Sequence, residues 1–475
     1  MKSIVKRSYV PKSVIYAKSY VPKNVILLIF NTFADIMYVR KGGVMKRKIY
    51  KDLLNWKNSG DRKPLILQGS RQVGKTYIVN LFGADNYANV VYCNFEKEPD
   101  LADFFTDLKP VNILEKLGNY KRKEILPSHT LIIFDEIQAC PEALTSLKYF
   151  CEEANEYHLI ATGSLLGVSV NRKESSFPVG KVEFLNMYPM DFEEFLMAND
   201  VSYLIDEIKD CYNLNKSLPE PFHREALRLY KIYLYTGGMP EVVEEYLKNN
   251  NYELVKIKQL AILEAYFNDM GKYNRATEIP KTKQVYKNIS TQLARENRKF
   301  KYSSIKSGGR ASEFANAIEW LCLAGVANQL YRVEHIKLPL NAYKSLNDFK
   351  FYMNDVGLCS ASQDVFINDI LYDNPAFNDF KSGLTENYVN NQLIANKFTG
   401  FYWTSANQAE IDFIIRLNND IIPIEVKSGD NIRSKSLNEY INRFSPQYAI
   451  RVSSKNFGFD NNIKSVPLYA VFCIK

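Results

Sequence analysis

Gly69-Ser70-Arg71-Gln72-Val73-Gly74-Lys75-Thr76 reads GSRQVGKT, a complete GxxxxGKT pattern. The apolar stretch 64–68 (PLILQ) precedes it as a buried strand, and 75–82 (KTYIVNLF) continues as a helix. A glycine turn between strand and helix is the setting that a phosphate loop needs. Gly69 and Gly74 let the backbone wrap closely, so that the successive amides of Ser70, Arg71, Gln72 and Val73 and the helix N-terminus face negative charge. Lys75 would reach the β- and γ-phosphates, and Thr76 would set its hydroxyl on Mg²⁺. The expected ligand is a nucleoside triphosphate, with ATP the natural choice.

Working outward, 130–138 (TLIIFDEIQ) is an apolar run that ends in two carboxylates. A central parallel strand delivers acids in this way to the sheet edge where ligands bind. Asp135 would hold the Mg²⁺ shell and Glu136 would orient or deprotonate an attacking water. A plain acid pair at a helix start is the simpler alternative. A third strand, Tyr157–Ala161, leads to Thr162-Gly163-Ser164. Thr162 and Ser164 would either sense the γ-phosphate and position water or merely cap the next helix.

These residues carry a resemblance. GSRQVGKT, LIIFDEIQ, LIATGSLLG, VGKVEFLNMYPMDFEEFL and YTGGMPEVV look like the bacterial and archaeal AAA-type (AAA_14-like) P-loop ATPases that carry a C-terminal DUF4143 domain, from about residue 45 to the end. The resemblance implies an α/β ATPase with a parallel sheet, a helical and winged-helix middle, and a restriction-endonuclease-like α/β C-terminal domain. It also implies nucleotide sites between subunits of a homo-oligomer. The family pattern has an arginine where Lys181 follows Gly180 here, and a lysine lacks the planar fork that a neighbouring subunit's nucleotide would meet. Arg172 is the nearby substitute, or else a solvated loop cation.

The tail holds a second constellation. Residues 407–415 (NQAEIDFII) and 421–427 (IIPIEVK) alternate as two strands around the turn 418–420. Glu425 and Lys427 leave one face of their strand, where Asp412 can meet them across the ladder. An aspartate followed thirteen residues later by ExK resembles the PD-(D/E)xK nuclease core. Asp412 and Glu425 would hold a hard divalent cation through oxygen, and Lys427 would stabilise charge on the phosphate. Glu386, on the amphipathic stretch 384–389, matches the upstream acidic position of that fold. The alternative is a solvated cross-strand pair in a binding module without cleavage.

Between the two lie 300–310, with Lys301, Lys306 and Arg310, and a helix from Ala311 to Ala324 closed by Gly325. This unit is either a winged helix on DNA or an ATPase lid and protein-interaction module. Net charge says little. Residues 1–44 carry eight Lys/Arg and one acid, a net of +7 out of the chain's +8, which leaves +1 for 45–475. Ser8–Ile15 recurs as Ser19–Ile26 with one change. The segment 1–44 therefore reads as a non-native or flexible extension ahead of a start at Met45, with a targeting role as the rival. Its apolar run 25–30 falls short of the ~20 residues that span a bilayer. Seven scattered cysteines without CxxC and four dispersed histidines indicate neither disulfides nor zinc.

At 475 residues and 46% hydrophobic, the chain has apolar material for about three domains. The expected division is 1–44, an ATPase domain over 45–210, a helical lid and winged-helix region over 211–345, and the nuclease-like part over 346–475. The expected activity is cytoplasmic ATP hydrolysis whose cycle controls a nucleic-acid-directed module, with no membrane partner. A signalling switch that recruits a protein, with a non-catalytic tail, is the alternative.

Overall fold

The computed structural model describes residues 25–26, 39–40, 45–164, 178–272, 274–295, 298–405, 409–429 and 435–475. Contacts divide the chain into two compact units, Met1–Met45 and Lys46–Lys475. In the first unit, β1 (Val25–Ile26) pairs antiparallel with β2 (Val39–Arg40). The expectations placed on the rest of 1–44 lie outside the described residues.

The second unit opens with α1 (Ile49–Lys57) and then builds a parallel sheet from β3 (Leu65–Gln68), β4 (Asn89–Asn94), β5 (Thr130–Asp135), β6 (His158–Gly163) and β7 (Glu183–Asn186). The order in space is β4-β5-β6-β3-β7, and every pairing is parallel. All six residues of β5 are buried, as a strand covered on both faces requires. Helices α2 (Lys75–Asn86), α3 (Pro110–Lys121) and α4 (Pro141–Glu153) intervene between the strands. On one face Phe134 meets Phe95, Phe105 and Phe150 edge to face, which locks β5 beneath α4. β6 continues two residues past the expected end at Ala161, because Thr162 and Gly163 pair with Leu67 and Gln68. Thr162 is therefore a strand residue and caps no helix.

A helical region follows: α5 (Phe192–Ala198), α6 (Ser202–Leu214), α7 (Glu220–Thr236), α8 (Pro240–Asn249), α9 (Tyr252–Asp269), α10 (Ile279–Leu293) and α11 (Ala311–Leu323). α5 starts on a reciprocal capping box between Asp191 and Glu194. α7 stops at Gly237-Gly238, where a Cβ on Gly238 would run into the Met190 carbonyl and one on Gly237 into the Asp355 carboxylate. That crowding explains why the YTGGMP segment has two glycines before Pro240.

The last layer is an eight-stranded mixed sheet in the order β14-β15-β13-β12-β11-β10-β8-β9. Its strands are β8 (Ala327–Val333), β9 (Lys344–Met353), β10 (Phe401–Thr404), β11 (Glu410–Leu417), β12 (Asp420–Val426), β13 (Ala449–Ser453), β14 (Gly458–Asp460) and β15 (Ile463–Pro467). Helices α12 (Val356–Ser362), α13 (Ile367–Leu371), α14 (Asn378–Ala395) and α15 (Lys435–Phe444) accompany them. β9 spans position 345/346 and pairs antiparallel with β8, which in turn runs parallel to β10, so one sheet joins the middle of the chain to its end. The stretch 384–389 was expected to be amphipathic, but α14 is buried on every side from Gly383 to Asn390. The helix packs against β9, β12 and α12 at once, which leaves the 383–390 stretch no solvent face. Among the described residues no helix is long and apolar enough to cross a membrane.

Candidate functional site

The loop 69–76 turns on residues that ordinary side chains could not replace. Gly69 lies so close to the Met187 carbonyl that a Cβ there would collide with it, and Gly74 takes φ 95° immediately before α2. Lys75 folds back on the loop, its Nζ donating to the carbonyls of Gly69 (2.7 Å) and Ser70 (2.8 Å). Burial pushes its pKa down to about 8, against the opposing pull of Glu136 and Asp135.

Asp135 is the hub of the site. Its carboxylate lies 3.1 and 3.2 Å from Thr76 Oγ1, and it accepts from Tyr92 OH (2.5 Å), Asn94 Nδ2 (3.0 Å) and the Thr162 hydroxyl. Burial, reinforced by the hydrogen bond to Asp135, holds the Tyr92 hydroxyl well above the ordinary phenol range. The neighbouring Glu136 takes φ 53°, a left-handed conformation uncommon for a residue with a side chain. Its Oε2 accepts from Gln138 Nε2 (2.5 Å) and Ser164 Oγ (3.3 Å). Glu136 thus stands just ahead of the short 3-10 turn Ile137–Ala139 without capping it, and its carboxylate faces Ser164, one residue past β6. A turn strained in this way at a sheet edge is characteristic of functional sites.

The rest of the chain grips this loop. Arg47 Nη1 donates to Val73 O (2.8 Å), Tyr266 OH to Arg71 O (3.0 Å), and Asn354 Nδ2 to Ser70 Oγ (2.9 Å). Arg71 reaches Asp269 (2.9 Å), Glu96 (3.3 Å) and Ser164 Oγ (3.4 Å). A cavity of about 270 Å³ opens beside the loop, lined among others by Gln68, Ser70, Ser164, Asn186, Asn354 and Gln392. Lys181 ends at Glu152, 2.9 Å away, and Arg172 lies outside the described residues.

The tail keeps Glu386 and Asp412 together and adds Lys350, Arg298 and Glu410 to them. Glu386, 2% exposed, receives the Arg298 guanidinium on Oε1, and Lys350 Nζ (3.1 Å) and Tyr352 OH (3.0 Å) on Oε2. Lys350 also lies 2.5 Å from Glu410 Oε1 and 3.8 Å from Asp412 Oδ1, with no exposed surface. Asp412 Oδ2 accepts the Val426 amide at 2.8 Å. Burial raises the carboxyl of Asp412 well above its usual range, and the negative charge of Glu386 raises it further. Burial works in the same direction on Glu386, but Lys350 and Arg298 outweigh it and hold that carboxyl low. Glu425 and Lys427 pair with each other at 3.1 Å, one at the end of β12 and one just beyond it.

A divalent metal fits the two sites differently. At the loop, Thr76 and Asp135 offer a hydroxyl and a carboxylate side by side. In the tail, both oxygens of Glu386 and one of Glu410 already contact cationic nitrogen, so a metal there would compete with Lys350 and Arg298 for the same oxygens. Among the described residues no group of three His, Cys, Asp or Glu forms a metal-binding set. The seven cysteines are all free.

Several of these residues went unrecognised in the sequence. Tyr92 and Asn94 alternate on β4 toward the neighbouring acid strand, a pattern open to detection. Lys350 interrupts the apolar run FKFYM (349–353), and a charge inside such a run is itself a signal. Asn354, Asp269 and Arg298 carried none.

Comparison with known proteins finds three family models along the chain. Residues 227–367 match a family model described as domain of unknown function (DUF8612), and 381–471 one described as domain of unknown function (DUF4143). No curated protein matches the sequence. Among solved structures, the Aeropyrum pernix ORC1 protein in complex with DNA is 13% identical, covering 69% of this chain and 91% of its own, at a TM-score of 0.27. Cdc6p from Pyrobaculum aerophilum is also 13% identical, with 74% and 99% covered and a TM-score of 0.24. A point variant of RuvB from Thermotoga maritima is 14% identical, with 59% and 88% covered and a TM-score of 0.27. Scores this low carry no argument about function. Residues 61–196, however, match the family model described as AAA domain, and that stretch holds the 69–76 loop together with Asp135, Glu136 and Thr162.

Proposed function

We propose that this protein hydrolyses ATP at the 69–76 loop and that its nucleotide state controls a nucleic-acid-directed, nuclease-like C-terminal module. The hydrogen bond between Asn354 and Ser70 carries the reading of control. Asn354 stands one residue beyond β9, the strand that also holds Lys350 and Tyr352 against Glu386. A rearrangement of Ser70 around phosphate therefore acts directly on the end of a strand rooted in the tail.

In the catalytic half, Mg²⁺ bound through Thr76 and Asp135 would screen the charge on the β- and γ-phosphates. Lys75 exchanges its bonds to the Gly69 and Ser70 carbonyls for phosphate oxygens. Glu136 orients the attacking water and takes its proton, with Ser164 and Gln138 holding the carboxylate in place. Tyr92, Asn94 and Thr162 keep Asp135 aimed at the helix start.

Nucleic acid as the partner rests on the order of elements. α10, an isolated bridge between Lys299 and Lys350, α11 and the β8–β9 hairpin follow one another as in a winged helix. Lys301, Lys306 and Arg310 are exposed at the approach to α11, although Lys306 also pairs with Glu313 at 2.8 Å. The decisive experiment measures duplex and single-stranded DNA affinity with ATP, with ADP and without nucleotide, beside Lys75→Ala. Affinity that follows the nucleotide in the wild type and not in the variant supports the reading. Equal affinity in all three states removes it.

A further inference from the structure

We infer that Lys350 is a built-in cation among Glu386, Glu410 and Asp412 of the C-terminal sheet, standing in for a divalent metal on two of the acids of a PD-(D/E)xK-like site, Glu386 and Asp412, so that this module engages its partner without metal-assisted hydrolysis. The comparison with such a site rests on the nuclease-like reading of the tail. The occupancy by lysine rests on the contacts of Lys350 itself.

Lys350 belongs to β9 and reaches the cluster from the side opposite the β11–β12 hairpin, with β10 and β8 between them in the sheet. Its ammonium contacts Glu386 on α14 (3.1 Å) and Glu410 at the start of β11 (2.5 Å), and faces Asp412 (3.8 Å). A metal bound by those three carboxylates would share their oxygens with the nitrogen, and two cations at such separation repel strongly in a buried site. The second oxygen of each central acid is engaged as well: Oε1 of Glu386 by Arg298, and Oδ2 of Asp412 by the Val426 amide. Tyr352 donates to the oxygen that Lys350 also uses. The Tyr402 ring lies 5.3 Å from the ammonium and walls it from another side. The pair expected to complete a metal site, Glu425 and Lys427, closes on itself.

A lysine in this position differs from a metal in one functional respect. It neutralises the carboxylates and fixes α14 to the sheet, but it offers no open coordination position on which water could be activated. Because the nitrogen is part of β9, it also cannot be removed by a chelator.

The test is Mn²⁺ binding by the nucleotide-free full chain, followed by electron paramagnetic resonance, in wild type, Asp412→Asn, Lys350→Ala and Lys350→Ala/Asp412→Asn. The expected result is no Mn²⁺ signal in the wild type that Asp412→Asn removes. Lys350→Ala should bind Mn²⁺ at least about tenfold more tightly than wild type, and the added Asp412→Asn should abolish the gain. Mn²⁺ bound by the wild type and lost in Asp412→Asn overturns the inference, as does a folded Lys350→Ala chain that gains no site. Should Lys350→Ala fail to fold, the wild type against Asp412→Asn decides alone. Because the readout is metal binding, it is separate from the DNA-affinity experiment: loss of nucleic-acid binding would leave the lysine assignment standing.

Discussion

At the scale of single residues, Lys75 is the group whose protonation the fold has moved most usefully. Buried beside the loop carbonyls, it has a pKa of about 8 instead of the ordinary 10.5. The unfolded chain therefore binds more protons between those two values, and the nucleotide-free fold gains stability as pH rises from about 8 toward 10.5. Phosphate favours the charged amine, so ATP binding should take up a proton above pH 8. Affinity is expected to fall roughly tenfold per pH unit beyond that point. Titration of ATP affinity from pH 7 to 10 checks this, and the slope should vanish in Lys75→Ala. In the proposed reaction Glu136 acts on the attacking water and not on nucleotide binding. Glu136→Gln should keep ATP affinity and lose hydrolysis by about 10²–10⁴-fold, read as steady-state phosphate release.

Single elements carry the connections. The turn between α7 and α8 admits no Cβ at Gly238, since the Met190 backbone occupies the space. Gly238→Ala should cost about 1–3 kcal/mol or more, measured by urea unfolding. β9 links the loop through Asn354 to the acidic cluster through Lys350. Asn354→Ala should leave ATP affinity nearly unchanged while the DNA affinities in ATP and ADP converge. Convergence without loss of binding separates coupling from damage. Lys350→Met strands Glu386 and Glu410 beside a single remaining cation, Arg298, and should destabilise the fold by about 3–5 kcal/mol. Adding Glu386→Gln should recover part of that loss.

On the scale of the whole molecule, the described part of Lys46–Lys475 holds together through contacts distant in sequence. The β8–β9 hairpin belongs to the same sheet as the C-terminal strands, and its far end touches the phosphate loop. A chain ended after Ser345 would lose most of β9 and all of β10, the two partners of β8, together with the Asn354 contact to Ser70. It is expected to show cooperative unfolding at lower denaturant than the full chain, or none, by circular dichroism.

The phosphate loop, the acid strand and the Thr162–Ser164 segment were legible because each is local. Glycines, an apolar run and a carboxylate within a few residues specify their own backbone, and the parallel sheet follows from the succession of strand and helix. The exchange at the tail was not legible. Glu386, Asp412, Glu425 and Lys427 read as one site because the ExK alternation is local, but the charge that completes the cluster comes from Lys350 and Arg298 on segments far away in the chain. The same holds for Asn354, Asp269 and Tyr266 around the loop, polar residues without local pattern whose meaning depends on what they face. The sequence alone determined the glycine turn of the 69–76 loop between its strand and helix, since that turn is a property of one continuous stretch. Only the tertiary structure decided which cation sits among the tail carboxylates, because electrostatic partners are chosen by proximity in space, and proximity there is set by sheet order.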